Sequence, residues 1–228
     1  MHPEPKSKIA VLGGTGKEGS GLALRWAHAG HHVVIGSRAP ERAQAAAAAI
    51  NARVGAERAE GSGNLAAARS GDIVVLTVPY AAQLPTLDEI KVALAGKILV
   101  DVTVPLIPPQ VGRVQLPDGG SAVVKAQAML GPGVRVVSAF QNVSAELLSE
   151  IGHAIDCDVL VCGDDRDARA QVIALARNAG MRAFHAGPLA NSVVAEALTS
   201  VLITLNRQYK VKHSGIAITG LPAEAPDA

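Results

Sequence analysis

The sequence predicts an α/β fold: a doubly wound, mainly parallel sheet followed by a small C-terminal α/β unit. Three observations carry this. The chain opens with an apolar run, a glycine cluster and a helix-forming segment in direct succession. Short β-rich runs then alternate with helical segments almost to the C-terminus, the pattern of parallel strands joined by crossover helices. At 228 residues and 49% hydrophobic content, the chain can bury one large core, or a large and a small one.

Residues 8–19 read KIAVLGGTGKEG. Residues 9–12 fit the first strand and 20–29 the first helix, with Gly14, Gly16 and Gly19 between them at G-x-G-x-x-G spacing. In that setting the spacing indicates a dinucleotide site of the Rossmann type. Gly14 would allow the sharp turn, Gly16 would let the backbone approach a pyrophosphate, and Gly19 would let helix and strand pack closely. The anion would rest on the free N–H groups at the helix N-terminus. A mononucleotide phosphate loop fails, because Gly16-Lys17 is followed by Glu18 and the residue five before Gly16 is Val11.

Residues 31–38 fit the second strand. Its adjacent histidines, His31 and His32, would point to opposite faces and make a poor metal pair. An NAD site usually carries Asp or Glu near this strand end, for the ribose hydroxyl. This chain has Gly36, Ser37 and Arg38, with Arg42 a turn later. A carboxylate would repel a 2′-phosphate and a guanidinium would bind it, so the preferred cofactor is NADP. The competing view, that both arginines only begin a solvated helix, is disfavoured by the helix dipole.

The alanine-rich residues 43–53 make the second helix, and 54–64 a glycine-containing loop around a weak third strand. A short helix over 65–70 precedes the buried strand 72–78 (DIVVLTV), which ends in Pro79-Tyr80. Open α/β sheets bind ligands beyond the carboxyl ends of their strands, so Thr77, Val78 and Pro79 belong beside the nicotinamide. A helix over 84–94 and a strand over 97–104 follow. Asp101, near the end of that strand, reads as a ligand for turn amides in preference to a catalytic acid. Residues 105–120 hold too many Pro and Gly to be core.

A helix over 121–130, capped by Ser121, a strand over 134–139 and a further helix come next. The strand 158–162 leads to a helix that Asp164 and Asp165 would cap. A last strand over 181–185 and a long helix over 193–207 complete the order, and the Pro- and Ala-rich end from Leu221 reads as disordered.

The net charge of +1 gives no bias towards nucleic acid or acidic membranes, and 2% aromatic content argues against base-stacking surfaces. The N-terminus has no apolar leader and no run approaches the ~18 apolar residues of a membrane span, so a cytoplasmic protein is expected. Cys157 and Cys162 match neither redox nor zinc spacing and read as buried free thiols. No metal site is expected.

Several further stretches complete a set: GSR at residues 36–38, LTVP at 76–79, VVSAFQNVSA at 136–145, CGDD at 162–165 and GPLANS at 187–192. With GGTGKEG at 13–19, the chain resembles the NADPH-dependent coenzyme F420 reductase family over residues 8–221. The resemblance implies that Thr15, Gly16, Lys17 and Glu18 lie along the pyrophosphate, and that Ser37, Arg38 and Arg42 hold the 2′-phosphate. It implies that Val78, Pro79, Val104 and Ala145 line the nicotinamide end, with Gln141, Asn142 and Val143 facing the deazaflavin. It further implies an NADP-binding domain over 1–145, a C-terminal domain over 146–228 completing the substrate cleft, and a homodimer. Gln141 stands where much of the family has His.

The chemistry implied is hydride transfer between NADP(H) and coenzyme F420, a reaction carried by cofactor and substrate, so no catalytic dyad or triad is expected. Short-chain dehydrogenases need Tyr-x-x-x-Lys, whereas Tyr80 is followed four residues on by Leu84 and Tyr209 by His213. Fewer than about 90 residues remain for the large helical domain of the β-hydroxyacid dehydrogenases. Two alternatives remain, an NADPH-dependent flavin or metal-linked reductase like the STEAP cytosolic domain and a non-catalytic NADP-binding module.

Overall fold

The computed structural model describes residues 6–221. Strand and helix alternate: β1 (Lys8–Leu12), α1 (Lys17–His28), β2 (His32–Ser37), α2 (Pro40–Val54), β3 (Ala59–Gly63), α3 (Asn64–Ser70), β4 (Ile73–Leu76) and α4 (Tyr80–Ile90). They continue with β5 (Ile98–Asp101), α5 (Ala122–Leu130), β6 (Arg135–Ser138), α6 (Ala145–Leu148), β7 (Val159–Gly163), α7 (Arg166–Asn178), β8 (Ala183–His185) and α8 (Ser192–Tyr209). Residues 222–228 of the tail expected to be disordered, and residues 1–5 of the N-terminus, lie outside the described residues.

The strands form one eight-stranded sheet in the order β3-β2-β1-β4-β5-β6-β7-β8. Every ladder is parallel except β6 with β7, where Val137 faces Gly163. The C-terminal strands therefore extend the same sheet. Side chains alternate between two cores: Ile9 and Val11 of β1 enter one with Trp26, Phe140 and Val172, while Ala10 and Leu12 enter the other with Leu87, Leu99 and Val123. Both faces are covered, which is why the central strands are apolar throughout. The chain changes direction across the sheet between β1 and β4, and the ligand crevice of such sheets opens at that switch.

Differences from the sequence expectation have local causes. Helix α1 starts at Lys17, three residues early, with Gly16 as its N-cap. Helix α2 starts at Pro40, whose fixed φ suits a first turn, so Arg42 lies inside the helix. Helix α6 is one turn long, and Arg25 donates to the carbonyls of Leu147 and Leu148 at its end. Of the two acids expected to cap α7, Asp165 does so through the Ala168 N–H at 2.7 Å, whereas Asp164 accepts from the Leu189 N–H and ties down the turn before α8. Ser121 caps α5 as expected, and both cysteines are buried free thiols.

One further difference concerns α8. With its preceding turn, Leu189–Tyr209 is, among the described residues, one segment long and apolar enough by length and composition to cross a membrane, with mean hydropathy 1.3. Its inward stripe is largely polar, however: Ser192, Glu196 and Ser200 are buried. Glu196 accepts hydrogen bonds from the Ser121 hydroxyl and from the Ala122 and Val123 amides, which docks the helix on the α5 N-terminus.

Candidate functional site

A cleft of about 880 Å³ opens at the carboxyl ends of β1, β2, β4 and β5. Its floor is the turn after β1. Gly13, at φ +78°, occupies the left-handed region and donates to the Gly36 carbonyl at 3.1 Å, so the turn residue is Gly13 and not Gly14. Gly14 is required for a different reason: a Cβ there would stand 2.8 Å from the Val11 carbonyl oxygen and press on Ile35. At Gly19 a Cβ would meet Thr77 and stand 2.9 Å from the Gly13 carbonyl oxygen. Gly16 is different again, exposed and with only the Gly13 oxygen, at 3.3 Å, near its Cβ position. The three glycines of the motif thus divide between packing (Gly14, Gly19) and an open surface (Gly16) on which an anion can approach the backbone.

At the β2 end, Ser37, Arg38 and Arg42 line the cleft, with the Ser37 hydroxyl accepting from the Ala39 N–H. Arg38 and Arg42 are exposed and neither guanidinium is committed to another protein group among the described residues. Asn64, which sequence reasoning missed, joins them: Ser37 pairs with Gly63 in the β2–β3 ladder, so the following residue comes alongside. Its Oδ1 is buried and has no hydrogen-bond partner among the described residues.

The β4 exit brings Thr77, Val78 and Pro79 to the opposite wall, with both the amide and the hydroxyl of Thr77 donating to the Leu12 carbonyl at 2.9 Å. Val104 lines the β5 exit next to Thr103, whose N–H donates to Asp101 at 2.9 Å. Asp101 is fully buried and also accepts from Gln83; burial raises its pKa, and these bonds pull it back. It shapes the turn that carries the wall and does not line the cleft. Leu106, Pro108 and Val111 of the Pro/Gly-rich segment add an apolar wall that its composition alone did not reveal.

Gln141 and Val143 line the end beyond β6, and Thr199 of α8 closes it. Phe140 holds φ +73°, unusual for a residue with a side chain, and its ring packs edge-on to Trp26 at 5.9 Å. That turn aims Gln141, whose Nε2 donates to the Asp101 carbonyl and the Ser138 hydroxyl, each at 2.9 Å. The backbone carbonyl only accepts, so the Gln141 amide orientation is fixed and its Oε1 is left buried without a partner. Asn142 is turned away, donating to the Ala195 carbonyl and to Thr199. Ala145 begins α6 outside the lining, and Gly14 lies beneath it.

Among the lining residues Lys17, Arg38 and Arg42 are cationic and Glu18 alone is acidic. Glu18 is partly buried in the first turn of α1, and desolvation pushes its pKa up to about 8. The site as a whole is cationic at its β2 end and apolar beyond β4 and β5. Gly16, Lys17, Arg38 and Arg42 could hold anionic groups at that end, and Val78, Pro79 and Val104 could take a flat apolar group.

Comparison with known proteins agrees. Residues 8–105 match the family model described as NADP oxidoreductase coenzyme F420-dependent. The chain is 43% identical to the F420-dependent NADP reductase of Methanothermobacter thermautotrophicus over 95% of its own length and 97% of that protein. It is 43% identical to the same-named protein of Methanocaldococcus jannaschii over 94% and 99%. The rat metalloreductase STEAP3 matches at 30% identity over 86% of this chain and only 37% of that protein. A solved structure from Arthrobacter sp. FB24 superposes with a TM-score of 0.76 at 29% identity, covering 93% of this chain and all of that one.

Proposed function

The chain belongs to the coenzyme F420-dependent NADP oxidoreductase family, and on that premise we infer that it transfers a hydride between NADP(H) and coenzyme F420 in the cleft after β1 and β4. The observation that carries the site assignment is the pairing of an open Gly16 turn with two uncommitted guanidiniums, Arg38 and Arg42. NADP fits these residues: four N–H-rich turn positions, Thr15 to Glu18, for the pyrophosphate, and Ser37, Arg38 and Arg42 for the 2′-phosphate.

NADP(H) and F420 supply the hydride chemistry, from nicotinamide carbon to deazaflavin carbon and back. The protein binds, orients and excludes water. Thr77, Val78, Pro79 and Val104 hold the nicotinamide end; Gln141 and Val143 face the deazaflavin, and Asn142 pins that segment to α8. Gln141 offers a fixed acceptor and no titratable proton, which suits a reaction that needs a positioned ring. Gly14 and Ala145 act from behind the wall.

In this reading residues 1–145 form the NADP-binding unit, and 146–228 complete the cleft, supported by Thr199 at its rim. The second unit also makes the contact of a cytoplasmic homodimer, supported by Val194, Val201, Leu205 and Tyr209 exposed on α8. The test is loss of reduced-nicotinamide absorbance when protein and NADPH are mixed with F420, FMN or FAD. Turnover with F420 is expected. Turnover with FMN or FAD alone would move the protein to the flavin-reductase reading, and NADPH binding without turnover to a binding module.

A further inference from the structure

Glu18 is an anomaly in a site for a polyanion. It lines the cleft in the turn where the phosphates are read to lie, and it is the only acid among the lining residues. The titratable and charged groups on the neighbouring elements are Lys17 on the same turn, Arg38 at the β2 end, Glu41, Arg42 and Arg53 on α2, Tyr80 at the start of α4, and Glu146 on α6 with His213 beside it. Helix α7 meets α1 at its far end, through the Trp26 bond to the Leu175 carbonyl. Among the described residues no hydrogen bond or ion pair joins Glu18 to any of these groups.

An unpaired carboxylate beside phosphates would repel them. The same side chain as a carboxylic acid has an O–H to donate to an anionic oxygen. We propose that Glu18 couples NADP binding to the uptake of one proton, entering the complex as a neutral acid that donates to the dinucleotide, so that affinity falls as this carboxyl ionises. Partial burial in the free protein already favours the neutral form to about pH 8, so the coupling falls in a range where it can be measured. The inference rests on the NADP reading of the cleft.

The experiment is calorimetric titration of NADP into the whole protein between about pH 7.5 and 9, above the range where the 2′-phosphate itself takes up a proton near pH 6. Two buffers of different ionisation enthalpy give the protons bound per NADP. For the wild type, uptake should rise towards one, and Kd should climb by up to about tenfold per pH unit above pH 8. For Glu18→Gln, which keeps a donor and cannot ionise, both should stay flat. Wild-type binding without proton uptake across the range would overturn the proposal, whatever the variant does. Equal uptake by wild type and variant would overturn it too. Failure of the wild type to bind NADP at any pH would instead remove the NADP reading on which it stands.

Discussion

The Arg25 guanidinium donates to the Ala179 carbonyl at 2.8 Å, joining residues 154 positions apart in the chain. The same group also serves the carbonyls of Leu147, Leu148, Glu150 and His153, at 2.6–3.1 Å. Arg25 lies on α1, so this one side chain holds the helix behind the glycine turn to the segment after α6 and to the end of α7.

Arg25→Ala leaves several carbonyls without donors, some of them buried. At about 1–3 kcal/mol for each buried orphan, a loss of at least about 3 kcal/mol is expected, read from the urea unfolding midpoint. Arg25→Lys should recover only part of it, because an ammonium cannot reach five acceptors from one plane. A variant as stable as wild type would show that the clamp is dispensable.

Arg38→Ala removes a guanidinium from the proposed 2′-phosphate site. A charge-assisted bond of about 1.5–3 kcal/mol predicts a ten- to hundred-fold rise in Kd for NADP. Binding of NAD should change little. Equal affinity of the wild type for NAD and NADP would count against the assignment.

The glycines should separate fold from binding. Gly16→Ala meets only one atom, at 3.3 Å, and as a change at the α1 N-cap should cost no more than about 1 kcal/mol while blocking approach to the phosphates. Gly19→Ala drives a methyl into the Gly13 backbone, with the Gly14 Cα also 2.9 Å away, and should cost about 1–3 kcal/mol. Melting temperature and NADP titration on the two proteins test this. A stability loss in Gly16→Ala as large as in Gly19→Ala would refute the division.

Gln141→Glu replaces the donor that faces the Asp101 carbonyl with a carboxylate oxygen. The segment should shift, raising KM for F420 about tenfold or more, with NADPH binding altered much less. Equal effects on both substrates would place Gln141 outside the second subsite.

Burial holds the Asp101 pKa above its ordinary value of 3.8. The folded state then binds more protons than the unfolded one in the window above 3.8, so this contribution to stability is complete below that value and is lost as pH rises through the folded pKa. Asp101→Asn cannot titrate. Its stability relative to wild type should therefore increase with pH from about 4 upward, by as much as about 1.4 kcal/mol per pH unit inside the window. Urea unfolding of both proteins across pH 4–8 measures it, and a pH-independent difference would contradict the burial account.

Local pattern determined a great deal. The order of strands and helices and the placing of a glycine cluster between β1 and α1 follow from short-range chemistry: apolar runs and turn residues. What sequence spacing could not decide is which groups meet across the sheet. Gly13 carries the turn because the Gly36 carbonyl on the neighbouring strand receives its N–H. Asn64 reaches the cleft through the β2–β3 register, Thr199 through the docking of α8, and the 105–120 segment because it folds back as a wall. Asn142 leaves the cleft because α8 offers it two acceptors. Each is a contact between distant parts of the chain, set by packing and hydrogen-bond satisfaction in three dimensions, to which neighbours in sequence contribute nothing.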